Sequence, residues 1–312
     1  MVGVPRSGTT MIYEALSARQ DLAWFSRPLN RLPRYPVVTV LERLASLHSS
    51  LRSTMYRSDQ IGPGLRRLRR LERLRLGPTE GTRVWGHWFG PRILYDYLLG
   101  AEASPAERER GRWIVAQLLR YQGKSRFVSK LAAPGHIHYL DSIFDDALFI
   151  HVIRDGRAVV HSLMNFPHWR DTFRLREPAW ENGLSGDDLA AWRYSGAEPI
   201  ALAAIQWRKV IETNRDEAAT LAPGRYQEVR YEDFLSDPHG TLDELTEFSA
   251  LEPAPEAHRF LDQRVVLRDM NVRWTQSFTP REIEIIEELI GPLLAELGYP
   301  PGRESQASKH DA

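Results

Sequence analysis

Residues 147–153 form the longest strongly apolar run in the chain, and this run restricts the fold more than any other feature. The run has the length of a strand and is far too short to span a membrane. A strand that is apolar on both sides is typical of a parallel sheet covered by helices on both faces. Because a helical pattern follows at residues 156–164, the run predicts a strand followed by a helix in an α/β protein.

A glycine-rich loop joins a short strand remnant at residues 1–4 to the first predicted helix. The loop reads Gly3-Val4-Pro5-Arg6-Ser7-Gly8-Thr9-Thr10, with the G-x-x-x-x-G spacing of a phosphate-binding loop (P-loop). Glycines let backbone N–H groups turn toward an anion, and the helix N-terminus adds further N–H donors. Nucleotide triphosphatases carry lysine after the second glycine, where this chain has Thr9. The loop therefore predicts a site for a shorter anion, formed by Arg6, Ser7, Gly8, Thr9 and Thr10.

A second cation lies at the end of the apolar strand. Arg154 follows the run directly, and Ser162 comes eight residues later, two turns into the predicted helix. Because the carboxyl ends of parallel strands meet at one edge of a sheet, we expect Arg154 at the same ligand-binding edge as the loop. An arginine and a serine there suit a second phosphate, although a salt bridge at the sheet edge would explain Arg154 equally well.

The remaining patterns alternate between strands and helices. Strands are predicted at residues 22–25, 83–85, 126–129 and 226–231, and helices at residues 9–19, 107–121, 156–164, 199–221 and 279–297. Residues 169–195 are predicted to be irregular. The alternation and the loop together predict a P-loop-type three-layer α/β fold, with a central parallel sheet flanked by helices. We expect one domain over residues 1–300, a helical, arginine-rich insertion at about 36–80, and a disordered tail at 301–312.

The two anion motifs together resemble the family of sulfotransferases that depend on 3'-phosphoadenosine-5'-phosphosulfate (PAPS). The segment from Val4 to Thr10 is similar to the family's loop for the 5'-phosphosulfate, in the form shared by bacterial-type members and tyrosylprotein sulfotransferases. The resemblance implies that Arg154 and Ser162 hold the 3'-phosphate. Lys130 stands where many members have a lysine near the transferred group, and residues 229–234 resemble another family segment.

The late segment at residues 268–279 resembles the part of the family that closes over the nucleotide, which implies that Arg268 and Trp274 contact it. The implied activity is transfer of a sulfuryl group from PAPS to a hydroxyl of a small molecule, sugar or lipid, with PAP as the product. Arg6 and Lys130 would stabilise the developing charge. No covalent intermediate and no metal ion are implied.

The general base does not follow from the resemblance. The usual glutamate position is Arg27 here, and the usual histidine position is Ala132. We favour His87, since it follows a predicted short strand and imidazole titrates near neutral pH. A core histidine between two tryptophans is an equal explanation of His87. The other candidates for the base are His136, His138 and Glu80.

Two other classes of function remain open. A P-loop kinase for a small molecule could use Thr10 and Asp155 to bind magnesium, but the missing lysine counts against it. A catalytically impaired protein that only binds PAP or PAPS would explain the missing glutamate. The two classes differ from the sulfotransferase in nucleotide preference and in turnover.

Composition excludes several other functions. The chain has 41 basic and 41 acidic residues and a formal net charge of zero, which gives no reason to expect nucleic acid as a partner. It has no cysteine, so it has no disulfide or thiolate metal site, and it shows no cluster of metal ligands at metal-binding spacing.

We expect a cytoplasmic protein without a transmembrane segment. Leucine recurs every third residue among arginines near residues 65–75, which predicts a solvated helix or lid, with weak membrane-surface contact as the alternative. No oligomeric state is predicted.

Overall fold

The computed structural model describes residues 1–47, 76–132, 136–166, 183–264 and 271–302. Within these ranges the strands are β1 Leu22–Ala23, β2 Arg126–Phe127, β3 Phe149–Ile153 and β4 Tyr226–Arg230. The helices are α1 Thr9–Ser17, α2 Arg27–Arg31, α3 Val40–Ser46, α4 Thr82–Trp88, α5 Arg92–Tyr95, α6 Pro105–Gln122, α7 Ile137–Ile143, α8 Gly156–Met164, α9 Gly186–Tyr194, α10 Pro199–Ala218, α11 Tyr231–Ser236, α12 Pro238–Phe248, α13 Pro255–Arg264, α14 Trp274–Ser277 and α15 Pro280–Glu296. A 3₁₀ turn at Pro36–Thr39 precedes α3.

All strand pairings among these elements are parallel. β1 pairs with β2, and β3 pairs with β4 over their full lengths. Val2 connects the two pairs, because it forms parallel bridges to Leu131 and to His151. The order across the sheet is therefore β1, β2, the segment at Val2, β3 and β4, which places the glycine-rich loop after the central position.

Helices cover both faces of this sheet. Ile150 and Val152 of β3 pack against α1, α12 and α13, whereas Ile153 packs against α8, α10 and α15. A further apolar cluster combines β3 residue Phe149 with α4, α6 and α7. The predicted α/β fold with a central parallel sheet between helical layers is confirmed.

Local sequence signals explain where several helices begin. Asp155 caps α8, because its side chain accepts a hydrogen bond from the N–H of Arg157. Thr279 and Glu282 form a reciprocal capping box at the start of α15, which agrees with the predicted start of that helix. The helix predicted at residues 156–164 has these bounds in the structure.

The strand predicted at residues 83–85 is wrong, since these residues lie in α4. Gly81 precedes the helix as its N-cap, and its left-handed φ of 73° ends the extended chain before α4. Val84 and Trp85 are buried on one helical face, and the Trp85 ring meets Phe25 edge-on at 5.2 Å. The three residues at 83–85 are too few for their hydrophobic pattern to distinguish a strand from a buried helical face.

The irregular structure predicted at residues 169–195 is wrong for its last part. Residues 167–182 lie outside the described ranges, but α9 is a regular helix with a capping box formed by Ser185 and Asp188. Within the predicted insertion at 36–80, the described residues include α3, and the helical insertion as a whole stays a prediction. The arginine-rich stretch at 65–75 and the end of the tail from residue 303 lie outside the described residues.

Candidate active site

The glycine-rich loop adopts a conformation that only particular residues allow. Arg6 has a φ of 77° and Gly8 a φ of 86°, both in the left-handed region. A Cβ atom on Gly8 would lie 2.1 Å from the Tyr231 ring, so glycine is required there for space as well as for backbone conformation. The chain then enters α1 without a side-chain cap, which leaves the helix N-terminus directed at the loop. The Ser7 hydroxyl is buried and has no hydrogen-bond partner among the described residues.

Arg6, Arg154 and Ser162 meet at one side of this loop. The Nε of Arg6 donates to the Ser162 hydroxyl at 2.9 Å, and Arg154 Nη1 donates to the Arg6 carbonyl at 3.0 Å. These contacts join the loop, the end of β3 and the second turn of α8. The sheet edge thus brings together the two anion motifs that are 148 residues apart in sequence.

Lys130 and Glu80 meet at the other side of the loop. Lys130 donates from Nζ to the Thr10 hydroxyl at 2.9 Å and forms an ion pair with Glu80 at 3.2 Å. The second carboxylate oxygen of Glu80 accepts the backbone N–H of Ala132 at 2.7 Å. A carboxylate is therefore fixed beside the cation and the loop, in a chain whose usual glutamate position holds Arg27.

A group of side chains from α11 and the late segment holds Arg154 in place. The Arg154 guanidinium lies 4.6 Å from the centre of the Tyr231 ring, and its Nε donates to Asn271 at 2.7 Å. Asn271 in turn donates to Glu232 at 2.9 Å, and Tyr299 donates to the same carboxylate. Burial raises the pKa of Glu232, and its hydrogen bonds oppose that effect.

Arg154 is a buried cation with further basic side chains nearby. The residue is only 7% exposed. Burial lowers its pKa, while Tyr231 and the carboxylates of Glu232 and Asp155 act in the opposite direction. Nearby, the pKa of His161 is lowered by burial first and then by Arg273 and Arg154. An anion bound here would offset the repulsion among these basic groups.

The loop lines one cleft with a volume of about 860 Å³, together with the group of Arg6, Arg154 and Ser162 and the pair of Lys130 and Glu80. Its described lining includes Arg6, Gly8, Thr9, Thr10, Glu80, Lys130, Arg154, His161, Ser162, Tyr231 and Arg273. Leu94, Tyr95 and Phe166 add apolar surface to the same cleft. The volume suits a nucleotide or a molecule of similar size.

The other predicted residues are elsewhere in the described structure. His87 lies in the last turn of α4 with its ring edge-on to Trp88, and it does not line the cleft. The expectation for His87 depended on a strand that is a helix. His136 is buried, with Nε2 2.6 Å from the carbonyl oxygen of Ile93. His138, in α7, does not line the cleft either.

Of the two residues predicted in the late segment, only Trp274 is described, and it does not line the cleft. Trp274 is buried and packs against Arg157, 4.6 Å from the guanidinium carbon to the ring centre, rather than lining the cleft. Arg268 lies outside the described residues. Arg273 and Asn271 are the described members of this segment that reach the cleft or its arginine, and no local sequence signal distinguishes them from their neighbours.

Fold and site together define a class of protein: an α/β protein with a glycine-rich loop after a central strand and a group of basic side chains at the same sheet edge. Residues 1–255 match the family model described as the sulfotransferase family. The chain belongs to the sulfotransferase family.

Solved structures agree with this assignment at the level of the fold. Sulfotransferase STF9 from Mycobacterium avium is 16% identical with a TM-score of 0.57, over 96% of this chain and 76% of that chain. Sulfotransferase STF1 from Mycobacterium tuberculosis H37Rv is 19% identical with a TM-score of 0.52, over 93% and 75%. No curated protein matches the sequence significantly. Among the described helices, none combines the length and apolar character needed to cross a membrane.

Proposed function

We propose that this sulfotransferase uses PAPS as its donor and transfers the sulfuryl group to an acceptor hydroxyl. The observation that carries the proposal is the presence of two separate basic groups in one cleft, at opposite sides of the loop. Lys130 with Thr10 forms one group, and Arg6, Arg154 and Ser162 form the other. PAPS has the matching charges, with a phosphosulfate at its 5' end and a phosphate at its 3' end.

The residues of the site fit such a ligand. The uncapped N-terminus of α1 and the Lys130 ammonium suit the 5'-phosphosulfate. Arg154 and Ser162 suit the 3'-phosphate. Arg6 donates a hydrogen bond to Ser162 and would therefore act beside the 3'-phosphate, whereas the resemblance implies a role at the sulfuryl group. The resemblance also implies that Arg268 and Trp274 contact the nucleotide. Trp274 packs against Arg157 and would support the site only through that arginine.

Glu80 replaces His87 as our candidate for the general base. The carboxylate is held by Lys130 and by the N–H of Ala132, at the side of the cleft where the sulfuryl group would lie. It would accept the proton of the acceptor hydroxyl while the hydroxyl oxygen bonds to sulfur. The bond between sulfur and the 5'-phosphate oxygen breaks, and PAP leaves with that electron pair. Lys130 and the loop N–H groups would stabilise the charge that develops on the leaving oxygen.

The kinase alternative has less support from the site. Asp155, the candidate for holding magnesium, accepts hydrogen bonds from the backbone and the guanidinium of Arg157. Its carboxylate is therefore engaged with a buried arginine.

A small-molecule, sugar or lipid acceptor remains our expectation, and Leu94 and Tyr95 provide apolar surface for it near Glu80.

Calorimetric titration with PAP, and with ATP plus magnesium, tests the donor. We expect PAP to bind without magnesium and more tightly than ATP. Tighter, magnesium-dependent ATP binding would overturn the proposal in favour of a kinase. A turnover assay with labelled PAPS and a panel of alcohols, phenols and sugars then separates an enzyme from a protein that only binds PAP.

A further inference from the structure

A cluster of histidine and aspartate side chains lies on helices α12 and α13, apart from the residues that line the cleft. His239 and His258 face each other with their Nδ1 atoms 2.7 Å apart and their ring planes within 8° of parallel. Each ring is backed by a carboxylate. His239 Nε2 lies 3.0 Å from Asp262, and His258 Nε2 lies 2.8 Å from Asp243.

The hydrogen bonds define where the protons are. An ionised carboxylate only accepts hydrogen bonds, so each Nε2 is the donor, and a ring that carries no second proton has a lone pair on Nδ1. With both rings neutral, two lone pairs lie a short distance apart. Such a contact is repulsive unless a positive charge lies between the rings, and that charge is either a shared proton or a metal ion.

The surroundings favour a metal ion. A histidine that ligates a metal usually donates its other ring N–H to a carboxylate, as both histidines do here. Imidazole nitrogen is a preferred ligand of Zn²⁺, Cu²⁺ and Ni²⁺. The side chains of His239 and His258 are 43% and 30% exposed, so an ion and its water ligands can reach them.

We propose that His239 and His258 form a two-histidine site for a divalent transition-metal ion. Zn–N bonds of about 2.0–2.1 Å in a tetrahedral site require the two Nδ1 atoms to separate by roughly 0.6 Å and both rings to turn until their lone pairs point at the ion. Among the described residues no group of three or more metal-binding side chains converges on one point, so water supplies the remaining ligands.

The ion would join two helices that support the phosphate-binding part of the fold. α12 and α13 pack with α1 around a common apolar cluster. α13 also connects to the end of α1, because Glu256 accepts the backbone N–H of Gln20 at 3.1 Å. Metal binding at the histidine pair therefore stabilises the folded protein without involving the cleft.

Titration of the tag-free protein with Zn²⁺ tests this site by calorimetry. We expect saturable binding to one site that is lost in His239→Ala and in His258→Ala. Asp243→Asn keeps both histidines and should weaken binding by about 10- to 100-fold, as expected for the loss of a carboxylate behind a ligand. His87→Ala, on the distant α4, is the matched control and should bind Zn²⁺ like the wild type.

Thermal unfolding provides an independent measurement. Zn²⁺ should raise the Tm of the wild type and of His87→Ala but leave the Tm of His258→Ala unchanged. Zn²⁺ binding that persists in both histidine variants would overturn the proposal. Absence of saturable binding at millimolar Zn²⁺ would also overturn it, and would leave a proton-bridged pair only.

Discussion

Glu80 and Lys130 form an ion pair at the part of the cleft where group transfer would occur. Lysine in this position is expected from the sequence, but the carboxylate is only one of three alternatives to His87. Glu80 lies in a loop, and its contact with Lys130 joins residues that are 50 positions apart. Neither spacing nor periodicity predicts such a contact, whereas the lysine and the loop belong to recognisable motifs.

Glu80→Gln tests the role of this carboxylate. The amide can still accept the N–H of Ala132, but it cannot take the acceptor proton, so turnover should fall by about a hundredfold or more. PAP affinity should stay close to that of the wild type. Both quantities are measured with labelled PAPS and by calorimetry.

His87→Gln is the control for that experiment. Since His87 does not line the cleft, we expect turnover similar to that of the wild type. A Glu80→Gln enzyme with undiminished turnover, or a large loss in His87→Gln, would assign the base to a different residue.

At the scale of elements, the parallel sheet is the most predictable part of the molecule. Continuous apolar character identifies β3, and the alternation of patterns places α1, α8 and α10 around it. Helix α4 is not predicted, because the short segment with Val84 and Trp85 has the composition of a strand. Its helical structure is accompanied by packing against Phe25, which the local sequence does not reveal. Helix α9 escapes prediction although Ser185 and Asp188 carry a capping signal, since the Trp- and Arg-rich sequence before it suggests a loop.

The join between the loop and α1 depends on Gly8. In Gly8→Ala, the new Cβ would meet the Tyr231 ring at 2.1 Å and the backbone would keep an unfavourable left-handed φ. We expect a loss of stability of several kcal/mol or a displaced loop, and in either case much weaker PAP binding. Urea unfolding and calorimetry measure the two effects.

Gly224→Ala is the matched control, because Gly224 has a similar φ of 81°, but a Cβ atom added there would have no described atom within 4 Å. It should lose only about 1–2 kcal/mol, the cost of the left-handed backbone, and keep PAP affinity. Equal effects of the two substitutions on PAP binding would contradict the role of close packing at the loop.

For the molecule as a whole, the buried carboxyl of Glu42 contributes a pH dependence to the stability of the fold. Burial raises the pKa of Glu42 to about 7, against a smaller opposing effect of the Ser26 hydroxyl. Because the folded protein holds this proton more tightly than the unfolded chain, the folded state loses stability as pH rises from about 4.5 to 7. The carboxylate lies in α3, away from the cleft lining.

Glu42→Gln removes this dependence. We expect the variant to be more stable than the wild type at pH 8, by up to about 3 kcal/mol, and the difference to disappear near pH 4. Urea unfolding of both proteins across this range gives the comparison. A variant that is less stable than the wild type at pH 8 would show that the ionised carboxylate is stabilised in the folded protein.

Arg154→Ala tests whether the cleft binds a nucleotide with a 3'-phosphate. A charged hydrogen bond contributes about 1.5–3 kcal/mol, and each 1.4 kcal/mol corresponds to about tenfold in affinity. By calorimetry, the substitution should therefore weaken PAP binding by roughly ten- to a hundredfold. The loss should be much smaller for adenosine 5'-phosphosulfate, which has no 3'-phosphate. Equal weakening toward both nucleotides, in a variant with unchanged thermal stability, would show that Arg154 does not bind the 3'-phosphate.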